Sequence, residues 1–529
     1  LTDKADNLPA SRGTASEQHI LTAAKGGGIL TAGRMFAYGA RFIVAFMLAR
    51  LLGAEEYGLY VLALSAATMA GAIGMFGLDS AVVRYVAVSS GKRDDAGLWG
   101  TLQVGVGGGV LISALAGLGL IALAQPIAEQ VFHEPELVPL LRLLGLTIPI
   151  FTLSDLLVAA NHGLKKMLHS VIAEDVAQPL IRICLIGLLA LGDLDAFQAI
   201  IAFVIADLAA SVILLRLLNR EFSLKRPLKA ARRDVREIAG FSLPVWISQL
   251  LKKFRGNIQS LFLGAFSTVT SVGVFTVASK ITVFGRMSSL SFMDSAKPIV
   301  AQLHAQGERE QMGHVYQTTS RWIFVLNLPV ILTIMLLPGP ILSIFGESFV
   351  AGATALVILA CANLVNVGTG IGGTIIDMTG HTRLKLVNSV LQIILVIGTN
   401  LLLIPRWGVL GAAVASLISL STIQVLRQLE VWILFRLLPY NRSFVKPVAA
   451  GLATLVIALA IRQWVPTDAS LLHTVLHVII VFAAYAGITL LLGFPAEDRA
   501  VLAQMYRRAS SLFSQSRAVL ASYWGARSD

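Results

Sequence analysis

Apolar residues run in long unbroken stretches along nearly the whole chain instead of alternating in short segments. Stretches of about 20 residues are what a bilayer-crossing helix needs. They predict spans at 29–52, 57–77, 98–124, 137–161, 172–192, 197–218, 240–263, 272–296, 319–338, 353–376, 386–404, 409–435, 447–465 and 473–493. Strands of a closed barrel would read as alternating segments of about ten residues, so a membrane β-barrel is excluded. The predicted fold class is an all-α integral membrane protein of about 14 transmembrane helices.

The polar connections fix an orientation. Of the 42 Lys and Arg residues, 27 lie in the connections on the side of the N-terminus and one, Arg406, on the other, which leaves 14 within spans. Basic loops stay on the cytoplasmic side, so both termini are expected there, in a prokaryotic cell (inner) membrane. The opposite connections are short and carry acids such as Glu55, Glu56, Glu134 and Glu136.

Composition sharpens this picture. Hydrophobic types make up 56% of the 529 residues and charged types 14%, with mean hydropathy +0.76. A soluble domain carries about a quarter charged residues. Too little polar surface remains for a soluble enzyme, and the pattern is neither disordered nor fibrous. Cys184 and Cys361 fall inside apolar runs with no ligand spacing and read as small buried hydrophobes. The first 27 residues lack the apolar core and cleavage site of a signal peptide, so the first span is expected to be retained.

The longest basic connection, 219–239, divides the chain. Expected parts are a cytoplasmic tail (1–28), a first lobe of six helices (29–218), that linker, a second lobe of six (240–435), two further helices (447–493) and an amphipathic cytoplasmic tail (494–529). The lobes repeat faintly. Leu52-Gly53-Ala54 followed by Tyr57-Gly58-Leu59-Tyr60 recurs as Leu263-Gly264-Ala265 followed by Val272-Gly273-Val274-Phe275, and Lys166–Val171 recurs as Lys385–Val390. Six spans per repeat keep both lobes parallel, an arrangement transporters use with the site at the repeat interface.

The run GRMFAYGARFIVAFMLARLLGAEEYGLYVLALSAA (33–67), FGLDSAVVRYVA (76–87) and the later TGHTR and IPRWGVLGAAVAS stretches resemble the polysaccharide and O-antigen flippases. These form the polysaccharide-transporter branch of the multidrug/oligosaccharidyl-lipid/polysaccharide exporter superfamily. The resemblance covers most of 30–435. It implies two lobes around a cavity that opens alternately to each side. It also implies a cargo of polyprenyl-pyrophosphate-linked oligosaccharide, moved from the cytoplasmic to the outer leaflet for cell-surface polysaccharide synthesis, with polysaccharide biosynthesis proteins as partners. Alternatives are a peptidoglycan lipid-precursor flippase, a multidrug exporter and a membrane glycan polymerase. The short outer loops and the lack of a catalytic constellation argue against the polymerase and against an enzyme generally.

A basic side chain at mid-bilayer costs about 2.5–3.5 kcal/mol on insertion scales, so it should face a cavity or a partner. Arg34 and Arg41 are seven apart on one face of span 1, while Lys252, Lys253 and Arg255 interrupt span 7, with Lys280 and Arg286 in span 8. Lys252 and Arg255 share a face and Lys253 points about a quarter-turn away. Arg gives bidentate contacts and Lys a mobile point charge, which suits a pyrophosphate. The plainer reading is that these cations neutralise intramembrane acids. Glu174, Asp175, Asp207 and Asp294 admit two roles, coupling to H⁺ or Na⁺ or simple ion pairing. No cofactor, catalytic residue, metal site or nucleic-acid partner is expected. GTGIGG (368–373) matches GxGxxG but has no preceding strand, and His473 and His477 lack a third ligand.

Overall fold

The computed structural model describes residues 11–223, 227, 231–464 and 471–493, and among these the ordered elements are helices with no strand. Helical structure occupies each interval expected as a span. Nine described helices are long and apolar enough to cross a membrane. The helix Val235–Phe266, over expected span 7, is not among them, because Lys252, Lys253 and Arg255 interrupt its apolar run. Two of the nine contain a turn. Ser11–Met75 is broken at Gly53 (φ 74°) and Thr382–Phe435 at Gly408 (φ 52°). Both glycines take a left-handed conformation that a side chain would strain, and each lets the chain leave one span and enter the next without a loop. Expected span 8 is two helices, Val269–Phe284 and Met287–Gln306, separated at Gly285 and Arg286.

Two compact units emerge. The first holds the described residues up to Lys280 with Leu342–Ile358 and Ile393–Ser419; the second holds Ile281–Ile341, Leu359–Gln392 and the described residues from Leu420. In the first, the helix Leu137–Gly163 is central and packs on Gly108–Ala122, Ala196–Glu221, Leu78–Gly91 and Ser11–Met75. Its Leu141, Leu144, Ile148, Leu156 and Leu157 are almost completely buried. Lipid tails are as apolar as leucine, so such helices associate through close van der Waals contact, and small residues permit it. A methyl group on Gly145 would sit 2.6 Å from Ile121, and one on Gly109 2.5 Å from Leu156.

The two copies of the repeated motif meet in this unit. Gly58 packs on the backbone of Val269, and its counterpart Gly273 packs on the backbone of Ala54. Gly264 lies against Leu62, where an added methyl would be 2.5 Å from Leu62 Cδ1. Cys184 departs from expectation: it is exposed, because the helix Gln178–Leu189 buries the opposite side through Pro179 and Ile186.

Part of the basic linker is folded onto the start of expected span 3. Trp99 Nε1 donates to Pro227 O (3.1 Å), and Arg232 N donates to Ala96 O (3.0 Å). The Arg232 guanidinium bridges Asp94 (2.7 Å) and Asp234 (3.2 Å). Asp94 caps the helix Asp95–Leu102 by accepting from Gly97 N at 2.9 Å. That backbone hydrogen bond, and then the Arg232 charge, hold the Asp94 carboxyl below its usual range. A depressed carboxyl stabilises the fold above its unfolded value near about 4 and loses that contribution as pH falls through the folded value. Asp94→Asn keeps a capping oxygen but loses the charge. Its melting temperature should fall below that of the native protein at pH 7, and the gap should shrink as pH is lowered through the acid range and the native carboxylate is protonated; a gap of constant size would contradict the assignment.

Candidate functional site

The first unit encloses a polar cavity of about 530 Å³, within the roughly 300–1,000 Å³ range of small-molecule sites. Each wall follows from helical phase. In Leu137–Gly163, Phe151, Asp155, Val158 and His162 recur at i, i+4, i+7 and i+11 and line the cavity, while Leu156, Leu157 and Ala160 face the core. Expected span 5 enters through a π-helical stretch, Val171–Ala177, a widened turn that recurs at functional sites. It presents Glu174 to the cavity, and Gln178 follows one turn later.

Two helices are matched turn by turn. Gln178 and Arg182 on one meet Phe203 and Asp207 on the other: Gln178 Nε2 donates to the Asp207 carboxylate, and Arg182 Cζ lies 4.0 Å from the Phe203 ring centroid. Asp207 is buried, and Arg182 interacts electrostatically with it and with Tyr60. A buried charge without a partner costs several kcal/mol, so these contacts hold one another in place.

Arg41 reaches the cavity from the first span and is half exposed; its Nη2 is 3.7 Å from Asp175 Oδ1. On Val235–Phe266 one stripe faces the first repeat. An added methyl on Gly77 (φ 67°) would be 2.5 Å from Ser242 O, Trp246 Nε1 donates to Ala72 O (3.0 Å), and Gln249 Nε2 donates to both Asp79 oxygens (3.1 Å each). Continuing that stripe brings Lys253 into the cavity, near enough to Asp155 to interact electrostatically.

The structure thus brings together Arg41, Lys253, Glu174 and Asp207 of the expected residues, with Asp175 beside Arg41. Lys252 and Arg255 lie on other faces of their helix and are exposed, as is Lys280, and none of them lines the cavity. The side chain of Arg34 lies outside the described residues, as does the amphipathic tail 494–529. Arg286 and Asp294 belong to the second unit, where both are exposed and Asp294 pairs with Lys297 at 2.6 Å. That unit's polar interior is largely amide and hydroxyl: Asn327 donates to Ser288 (2.7 Å), and Gln424 donates to Asn366 (3.1 Å).

Sequence reasoning missed Asp79, Asp155, Gln178 and Gln249. Asp155 carried a legible signal, an acid inside a predicted span, and the two glutamines are intramembrane amides of the same kind. With Asp79, Asp155, Glu174 and Asp207 against Arg41 and Lys253, the cavity holds more acids than bases.

A family model described as polysaccharide biosynthesis protein matches residues 23–304, more than half of the chain. The chain belongs to that family. A second model, MatE, matches 244–402. A probable low-salt glycan biosynthesis flippase, Agl15 of Haloferax volcanii, is 24% identical over 406 residues, which is 74% of this chain and 80% of that one. The succinoglycan biosynthesis transport protein ExoT of Rhizobium meliloti is 24% identical over 63% of this chain and 66% of its own length. Among solved structures, the lipid II flippase MurJ in an inward closed conformation superposes with TM-score 0.67 at 13% identity, covering 87% of this chain and 97% of that one. Its likeness establishes a shared all-α fold.

Gln178→Leu strands the Asp207 carboxylate without its amide donor and should lower stability by about 1–3 kcal/mol. Denaturation of the purified variant measures this, and native-like stability would contradict the pairing.

Proposed function

We propose that this protein is a flippase that moves a polyprenyl-pyrophosphate-linked oligosaccharide from the cytoplasmic to the outer leaflet by alternating access, for cell-surface polysaccharide synthesis. One observation carries the reading: Arg41 and Lys253, from equivalent first helices of the two repeats, line one cavity of a chain in the polysaccharide biosynthesis family. A guanidinium and an ammonium converging there suit a pyrophosphate, which can displace the long contact from Asp175 to Arg41. The excess of Lys and Arg in the connections on the N-terminal side supports a prokaryotic cell membrane protein with both termini in the cytoplasm. The six-helix lobes 29–218 and 240–435 are the rocking bodies of this reading. Its action is transport without catalysis.

Glu174 and Asp207 supply the coupling site for H⁺ or Na⁺. Both line the cavity, and Asp207 is already held by Gln178 and the Arg182 charge. The excess of carboxylates over cations favours a second reading, export of an organic cation.

Purified protein in liposomes, loaded with a fluorescent lipid-linked oligosaccharide in the inner leaflet, tests both. Flipping should respond to an imposed H⁺ or Na⁺ gradient. Arg41→Ala and Lys253→Ala should each slow it by about tenfold or more, the size of one lost charge-assisted contact. Lys252→Ala should retain the native rate, and Asp207→Asn should lose the gradient response. Native flipping by the Arg41 and Lys253 variants would overturn the site; efflux of tetraphenylphosphonium without glycan flipping would favour the second reading.

A further inference from the structure

A cavity that binds a pyrophosphate through two cations has no electrostatic use for an equal or greater number of carboxylates facing the same ligand. Their placement suggests a different partner. Two neighbouring helices carry the same pair one turn apart: Phe151 then Asp155 on Leu137–Gly163, and Phe203 then Asp207 on Ala196–Glu221. The rings pack against each other edge to face, with centroids 5.1 Å apart at 86°. Arg182 lies over Phe203, so the second ring is fixed by a cation–π contact as well as by its neighbour. Both rings line the cavity and keep partial exposure there.

A second, independent feature lies beside them. Ser154 is 2% exposed, lines the cavity, and its Oγ has no hydrogen-bond partner in the protein. A buried hydroxyl left without a partner is costly, so it points to a ligand group that can both donate and accept. Asp155, next to it in sequence, is exposed to the cavity and can accept from two hydroxyls. Aromatic faces with carboxylate and hydroxyl groups at their edge match a pyranose ring, which has an apolar C–H face and a rim of hydroxyls. The position fits as well: Asp155 is within electrostatic reach of Lys253, so a sugar seated there adjoins a phosphate held by Lys253.

We propose that Phe151, Phe203, Ser154 and Asp155 form the subsite for the first sugar of the cargo, and that these residues set which sugar is accepted. One ring stacks on the sugar face while the other, perpendicular to it, closes the sugar's edge, and Asp155 and Ser154 take its hydroxyls. Asp155 is therefore a specificity residue and not a coupling residue. The assignment rests on the flippase reading for its cargo, and the test separates the two.

The full-length protein in nanodiscs is titrated with farnesyl pyrophosphate, and with farnesyl pyrophosphate carrying glucose, galactose or N-acetylglucosamine. At least one sugar-bearing probe should bind about tenfold more tightly than the bare pyrophosphate, as expected for stacking and hydrogen bonds added to the ionic contact. Phe203→Leu and Asp155→Asn should each bring that ratio close to one, with melting curves to show that both variants are folded. A ratio near one for every sugar in the native protein overturns the subsite, as does an undiminished ratio in both folded variants. Failure of bare farnesyl pyrophosphate to bind the native protein strikes the flippase reading instead. The corresponding methyl glycosides, followed by saturation-transfer NMR, then test the subsite alone: transfer that is lost in Phe203→Leu supports it, and no transfer from any glycoside overturns it.

Discussion

A charge placed among apolar helices must be given a partner or a wet space, and much of the first unit's interior is arranged around that requirement. Arg182 lies against the Phe203 ring and in the field of Asp207, which in turn accepts from Gln178. Arg41 and Lys253 reach the cavity, as do Asp79, Asp155 and Glu174. The cavity is therefore where the unit gathers its intramembrane charges, some held by wall partners, as Asp79 is by Gln249, and all within reach of a polar space. Polar groups inside membranes are costly enough that their retention marks a pathway for a polar cargo.

The helices around this cavity are held by contact and not by the hydrophobic effect, which vanishes between leucine and lipid. Glycines supply the contact. Gly145 and Gly109 let the central helix approach its neighbours, and Gly58 and Gly273 let the two copies of the repeated motif rest on each other's backbone. Gly77 allows the same approach to Val235–Phe266, after which Trp246 and Gln249 fix the helix in rotation. That rotation selects Lys253 for the cavity over Lys252. A packing constraint near residue 77 thereby decides a charge near residue 253.

The fold was legible in the sequence because the bilayer imposes one length and one polarity on every span. Apolar runs of bilayer length locate the helices, and the repeated LGA…YG pattern anticipates the Gly58 and Gly273 contact. The site was only partly legible. Arg41, Glu174 and Asp207 stood out as charges inside apolar runs, and they do line the cavity. Lys252 and Arg255 gave the same signal but occupy other faces of their helix, because phase is set by docking partners that lie far away in sequence. The π-helical turn at Val171–Ala177 shifts phase locally, and nothing in the residue pattern announces it. Hydropathy reports depth well and rotation poorly.

A net charge of +12 invites the picture of a basic transporter for an anion. Most of the basic residues fall in the connections expected between spans, where such charges govern orientation, and the cavity itself is richer in carboxylates. Charge summed over a membrane protein thus describes its orientation more than its ligand. A ligand with phosphates at one end and neutral hydroxyls at the other reconciles the two signs in one chamber. In the proposed reading the phosphates would take Arg41 and Lys253, and Asp155 would accept from the sugar's hydroxyls instead of repelling the cargo. A purely anionic ligand would leave the acids opposing it, and a purely cationic one would leave Arg41 and Lys253 opposing it. The mixed chemistry of a glycan joined to a pyrophosphate would use both sets, which is why the proposed cargo suits this lining.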